Sequence, residues 1–177
     1  QSISQNVLCD GEWVADCGDG LLVETSPERR LAIMKDSRLG SFGALALFFV
    51  LSIKVAALAA LAGMPPLHAL GSCCLAGLLG RCQVFAGMRL PSARPGGLGA
   101  MMHDGMKPRY AYTALGLCLA ACLVMGRHGL YSLLAAGLVA FWLLSAARKR
   151  IGGVTGDVFG ALIETTECAV LAACCLP

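Results

Sequence analysis

The chain has 177 residues, 57% of them hydrophobic and only 14% charged, and a formal net charge of +3. A soluble domain is about 45–50% apolar and about 25% charged, so this composition, with its mean hydropathy of +0.71, points to lipid and away from a soluble globule. No basic run is long enough to suggest a nucleic-acid partner, and ten cysteines without a CxxC spacing, eight of them in apolar stretches, speak against a zinc site and for small packing residues.

In chain order, a polar segment, 1–41, comes first. Glu12, Asp16 and Asp19 recur at i, i+4 and i+7, a spacing that puts all three carboxylates on one side of a helix. Like charges so placed repel unless a cation lies among them. Mg²⁺ takes carboxylate and phosphate oxygens together, so the two readings are a metal site and a solvated acidic turn. Ser26-Pro27-Glu28 reads as a helix start, with Ser26 as the cap and Pro27 in the first turn. Leu31, Ile33 and Met34 give that short helix a partial apolar stripe suited to the membrane interface. Arg29 and Arg30 read as ordinary positive-inside anchors. Lys35, Asp36 and Arg38, beside Gly40 and Gly43, read as partners for a phosphate bridged to a metal.

A membrane-spanning helix needs about 20 mostly apolar residues. Five stretches come near this: 42–62, 67–88, 110–125, 129–147 and 157–176. The expected fold is therefore all-α, a polytopic transmembrane bundle over 42–177 with cytoplasmic loops near 89–109 and 148–157, which together with the 1–41 motif segment at the cytoplasmic face makes a single domain. Lys and Arg concentrate before the first stretch, between the second and third, and between the fourth and fifth. The 63–66 turn has none and the 126–129 turn has Arg127 alone. This alternation places the basic loops in the cytoplasm. Every polar motif falls on that face, whereas a transporter or channel spreads polar groups through the depth of its bundle.

Within the spans, Lys54, Arg81, Glu164 and Glu167 are the costly residues, and such groups turn inward to find partners. Asp157 follows a Thr-Gly turn at the mouth of the last span, and Arg94 sits in a Pro/Gly-rich loop free to wrap an anion.

These residues resemble the cobalamin synthase family, the adenosylcobinamide-GDP ribazoletransferases. Ile33-Met34-Lys35-Asp36-Ser37-Arg38-Leu39-Gly40-Ser41-Phe42-Gly43 stands as the family's I-M-(K/R)-D-(S/P)-R-x-G-x-x-G. Ala15-Asp16-Cys17-Gly18-Asp19-Gly20 matches the end of its D-G-L-A-D-x-x-D-G, with Glu12 and Trp13 where Asp and Gly are usual. Asp10-Gly11 is the other candidate for that pair, displaced by two residues. Ala93-Arg94-Pro95-Gly96-Gly97-Leu98-Gly99 resembles the A-R-x-x-G-L-G loop, and Gly152-Gly153-Val154-Thr155-Gly156-Asp157 resembles the G-G-x-T-G-D segment, with Glu164 and Glu167 trailing. Arg81 stands where the family carries an intramembrane arginine.

The resemblance implies a transferase that joins α-ribazole, or its 5′-phosphate, to adenosylcobinamide-GDP with release of GMP. It implies Mg²⁺ on Glu12, Asp16 and Asp19. It implies catalytic roles for Lys35, Asp36, Arg38 and Asp157, and substrate contacts from Arg81, Arg94, Gly97, Gly99, Thr155 and Glu164. The expected setting is a bacterial inner membrane, in contact with lipid and with the active face cytoplasmic; a homo-oligomer is compatible with it. Family members are longer at the N-terminus, so a chain starting at Gln1 is expected to be a fragment. The competing classes are a CDP-alcohol phosphotransferase, whose D-G-x-x-A-R motif this chain lacks, and a transporter using the intramembrane charges.

Overall fold

A computed structural model describes residues 3–36, 38–94 and 108–177. Among these, the chain is an all-helical bundle: α1 (Ile3–Leu22), α2 (Pro27–Ile33), α3 (Ser41–Ala62), α4 (Pro66–Gly87), α5 (Pro108–Val124), α6 (Arg127–Ile151) and α7 (Gly156–Cys174). Three helices, α3, α4 and α6, are long and apolar enough to cross a membrane, and Arg109–Val124 is a shorter apolar helix. The fifth expected span, α7, carries Asp157, Glu164 and Glu167, so it differs from the other spans in kind. It is the hub of the bundle, packed against α1, α3, α4 and α6, and its acids are sheltered by those neighbours.

The buried residues show why α6 packs closely on α7. Ser132, Ala136, Ala140, Leu143, Ala147 and Ile151 recur every three or four residues along α6 and are all buried. Small residues on such a stripe let two backbones approach in lipid, where dispersion replaces the hydrophobic effect as the driving force. The outward sides of α3 and α6 instead expose Phe48, Phe49, Val55, Leu138, Phe141 and Trp142, as a lipid-facing surface requires.

The core has two apolar layers. One, around Leu21, Met34, Leu143, Val158 and Leu162, lies at the end where α1 and α2 pack. The other, around Leu61, Leu75, Ala136, Val170 and Leu171, lies at the opposite end. Lys54, Arg81, Glu164 and Glu167 fall between the two layers in the order of α3, α4 and α7. Lys54 Nζ donates to Glu164 at 2.8 Å and to Glu167 at 3.1 Å, and Arg81 Nη1 reaches Glu167 at 2.8 Å. Two cations and two carboxylates thus neutralise one another within the spans, which removes most of the cost of holding them there.

The segment after α1 is built as its sequence suggests, with one correction. Ser26 caps α2, accepting from the Arg29 N–H at 3.4 Å. Arg30, however, is buried and is no interface anchor. Its Nε donates to Thr25 O at 3.1 Å, and its Nη1 donates to Gly20 O at 3.2 Å and Leu21 O at 3.1 Å. A guanidinium at the last carbonyls of a helix satisfies orphan acceptors and the negative end of the dipole. Arg150 reaches the same Leu21 carbonyl from the end of α6.

Candidate active site

The helix α1 positions the acidic motif, and its three carboxylates take different surroundings. Asp19 is buried and points at the start of α3. Its Oδ2 accepts from the Gly40 N–H at 2.7 Å and its Oδ1 from the Gly43 N–H at 2.8 Å. These are amide groups that the first turn of α3 cannot satisfy internally. A Cβ at Gly40 or Gly43 would fall on the Asp19 carboxylate, which gives the paired glycines of that motif a physical reason. Asp16 and Glu12 turn instead into a cleft of about 820 Å³.

That cleft gathers most of the charged residues singled out in the sequence. Glu12 and Asp16 stand on one wall, and Lys35, Asp36 and Arg38 from the α2–α3 connection form its rim. Lys54 and Glu164 lie at the end reached by α3 and α7, and Leu47, Val50 and Leu51 supply an apolar side. The result is amphipathic, with mixed charge at the mouth and hydrocarbon along α3.

A second cluster sits at the head of α7. Thr155 caps that helix, accepting from the Val158 N–H at 3.3 Å, and its hydroxyl lies 3.4 Å from Asp157 Oδ2. Arg94 bridges two elements, with Nη1 at 3.2 Å from Asp157 Oδ2 and Nη2 donating to Leu31 O at 3.0 Å. Its loop is fixed on the α6–α7 connection by Ala93 N–H to Val154 O and Val154 N–H to Pro91 O, both 2.9 Å. Gly97 and Gly99 lie outside the described residues. Arg81 is engaged by Glu167 and by Gly77 O and does not line the cleft.

Electrostatics join the two clusters at Asp16. Burial is the largest influence on its carboxyl, followed by the negative charges of Asp157, Glu12 and Asp19; Arg94 opposes them. Together they raise it from 3.8 to about 6. Asp36 goes the other way. Arg38 Nη2 lies 2.8 Å from its Oδ2, Nε lies 3.1 and 3.2 Å from its two oxygens, and these bonds hold the carboxyl below its ordinary value. Asp36 therefore orients Arg38 and is a weak proton acceptor, whereas burial and the surrounding carboxylates push Asp16 toward the range of a general base.

Among the described residues, no three His, Cys, Asp or Glu side chains converge as a ready-made metal-ligand group. Glu12 and Asp16 remain as two carboxylates with excess negative charge around them, and Asp19 has both oxygens committed to amides. A pair of carboxylates completed by phosphate oxygens is an ordinary Mg²⁺ donor set, and the raised Asp16 fits a position that a cation would stabilise.

Three residues hold the frame in ways their sequence context does not signal: Arg30, read as an interface anchor, Trp13, read as a departure from a motif, and Arg150. Trp13 lies flat over Gly160 of α7, where any Cβ would strike its ring. It therefore fills an α1–α7 crossing.

Fold and site together define a polytopic helical membrane protein with a cleft of mixed charge and one apolar side. The chain belongs to the cobalamin-5-phosphate synthase family, which it matches over residues 9–175. It is 42% identical over 167 residues to the adenosylcobinamide-GDP ribazoletransferase of Pseudomonas paraeruginosa, covering 93% of this chain and 63% of the relative. It is 45% identical over 171 residues to that of Syntrophobacter fumaroxidans, covering 92% and 65%, and 39% identical over 163 residues to that of Roseiflexus sp., covering 91% and 59%. The chain thus spans a little under two thirds of the length of these relatives. No solved structure matches it. Membership of this family weighs against both the CDP-alcohol and the transporter readings.

Proposed function

We propose that this chain carries the reacting centre of an adenosylcobinamide-GDP ribazoletransferase. A hydroxyl of α-ribazole, or of its 5′-phosphate, attacks the pyrophosphate of adenosylcobinamide-GDP. A phosphorus–oxygen bond forms to the ribazole, the bond to GMP breaks, and the hydroxyl proton passes to a base. The observation that carries this reading is the single cleft that gathers Glu12 and Asp16 with Lys35, Arg38 and Glu164.

The residues divide the work by charge. Lys35 and Arg38 at the rim lie where a diphosphate would enter, and Asp36 holds the Arg38 fork in place for bidentate contact. Arg94, held by Asp157 and Leu31 O, adds a cation at the α7 end to receive the charge that develops on the leaving group. Asp157, already polarised by Arg94 and Thr155, orients the incoming hydroxyl. Glu12 and Asp16 would hold Mg²⁺, which supplies charge neutralisation on the diphosphate when bound. The basic connections at this end, carrying Arg94, Lys149 and Arg150, support a reading in which the reacting face lies on the cytoplasmic side of a bacterial inner membrane.

The test supplies adenosylcobinamide-GDP, α-ribazole and Mg²⁺ to this protein in detergent and follows GMP and the corrinoid product. Asp16→Asn should abolish Mg²⁺-dependent GMP release. Full activity in that variant, or equal turnover of a CDP-alcohol, would overturn the assignment.

A further inference from the structure

A groove of about 290 Å³ runs between α1, α3 and α6, on the far side of Val14 and Val50 from the reacting cleft. Its walls include Leu22, Phe49, Trp142 and Ala146, and Arg150 closes one end. Phe49 and Trp142 are each more than half exposed, so the groove opens sideways to the bilayer. Along α6, Trp142, Ala146, Lys149 and Arg150 follow at i, i+4, i+7 and i+8, a single helical face running from hydrocarbon to headgroup depth.

The charged end carries an excess of one sign. Arg150 and Arg30 converge on the last carbonyls of α1, α2 packs against α6 there, and Arg29, Arg148 and Lys149 remain exposed, against Glu24 and Glu28 among the described residues. A basic collar above an apolar slot between spanning helices matches a ligand with a phosphate at one end and a chain at the other. A free phosphate has no part for the slot, and a zwitterionic lipid has no net charge for the collar.

We propose that this groove seats one acyl chain of an anionic phospholipid, with its phosphate on Lys149 and Arg150. The lipid bridges α1, α3 and α6 and so braces the helix that presents Glu12 and Asp16. The site does not depend on the reaction assigned to the cleft.

The test uses this chain in neutral detergent, titrated separately with phosphatidylglycerol, phosphatidylcholine and inorganic phosphate. Melting temperature and quenching of Trp142 by brominated acyl chains are followed, with Trp142→Phe as the control for Trp13. Phosphatidylglycerol should raise the melting temperature and quench, and phosphatidylcholine should do neither at the same mole fraction. Lys149→Gln, an exposed change, should weaken the phosphatidylglycerol response about fivefold, the worth of one cation near an anionic surface. Ala146→Phe, which fills the slot, should abolish quenching. Equal responses to the two lipids, indifference to both variants, or the same shift with inorganic phosphate would each overturn the proposal.

Discussion

Asp16 and Asp19 differ by three positions and stand in opposite relation to the fold. The Asp16 carboxyl, raised to about 6 from 3.8, is still protonated in the folded chain when the unfolded chain has already released its proton. Folding therefore weakens as pH rises from about 4 to 6, and the full penalty is present above that window. Asp16 is partly open to solvent, so after screening the penalty is about 1 kcal/mol rather than the full shift. Asp16→Asn should raise the melting temperature at pH 7.5 by about 2–4 °C and lose that advantage near pH 4. A variant that gains stability while losing GMP release marks a residue held for chemistry. Asp19 is the reverse, because its oxygens cap the first turn of α3. Asp19→Ala should cost about 2 kcal/mol, equally with and without Mg²⁺ in a melting experiment. A loss seen only with Mg²⁺ would return Asp19 to the metal. The periodicity puts both residues on one helical side but cannot show that two amides at the start of α3 return, after α2, to meet one of them.

At the scale of elements, the intramembrane charges were legible as a set, because hydrocarbon forces such groups to find one another. Their depth was not, since it depends on how far α3, α4 and α7 slide past each other. The quartet makes the energetic case testable. Lys54→Met leaves Glu164 without its partner and Glu167 with Arg81 alone; these side chains are partly buried, so the loss is about 2–3 kcal/mol, below that of a fully buried pair broken on one side. The double variant Lys54→Met/Glu164→Gln removes one charge of each sign and should recover much of that loss, read as the yield of folded protein in mild detergent. A double variant no better than the single would show that the lysine acts through something other than this network. The crossing of α1 over α7 makes a similar pair. Gly160→Val should fail to pack under Trp13, and Trp13→Ala should restore part of what it loses. In the sequence Trp13 stands out only as a departure from a Gly-bearing pattern; its fit to Gly160 depends on a contact far along the chain.

For the molecule as a whole, orientation decides whether one face can host the reaction. The reacting cleft, the Arg94–Asp157 pair and the Lys149–Arg150 collar all belong to the end where α4 and α6 finish and α3 and α7 begin. The short turns after α3 and α5 lie at the other end, and the turn after α3 carries no Lys or Arg. Moving several cations across a membrane is far costlier than moving a neutral turn, which is the ground for proposing that the basic end lies in the cytoplasm. In that orientation the proposed reaction would draw its nucleotide substrate from the cytoplasm, with the apolar side of the cleft along α3 facing the bilayer. A reporter active only outside the cytoplasm, such as alkaline phosphatase fused after Met64, should be active, and the same reporter fused after Gly152 should be silent. The reversed pattern would set Glu12 and Asp16 on the outer face, away from any cytoplasmic GDP-linked substrate, and the phosphoryl-transfer reading would fail together with the orientation.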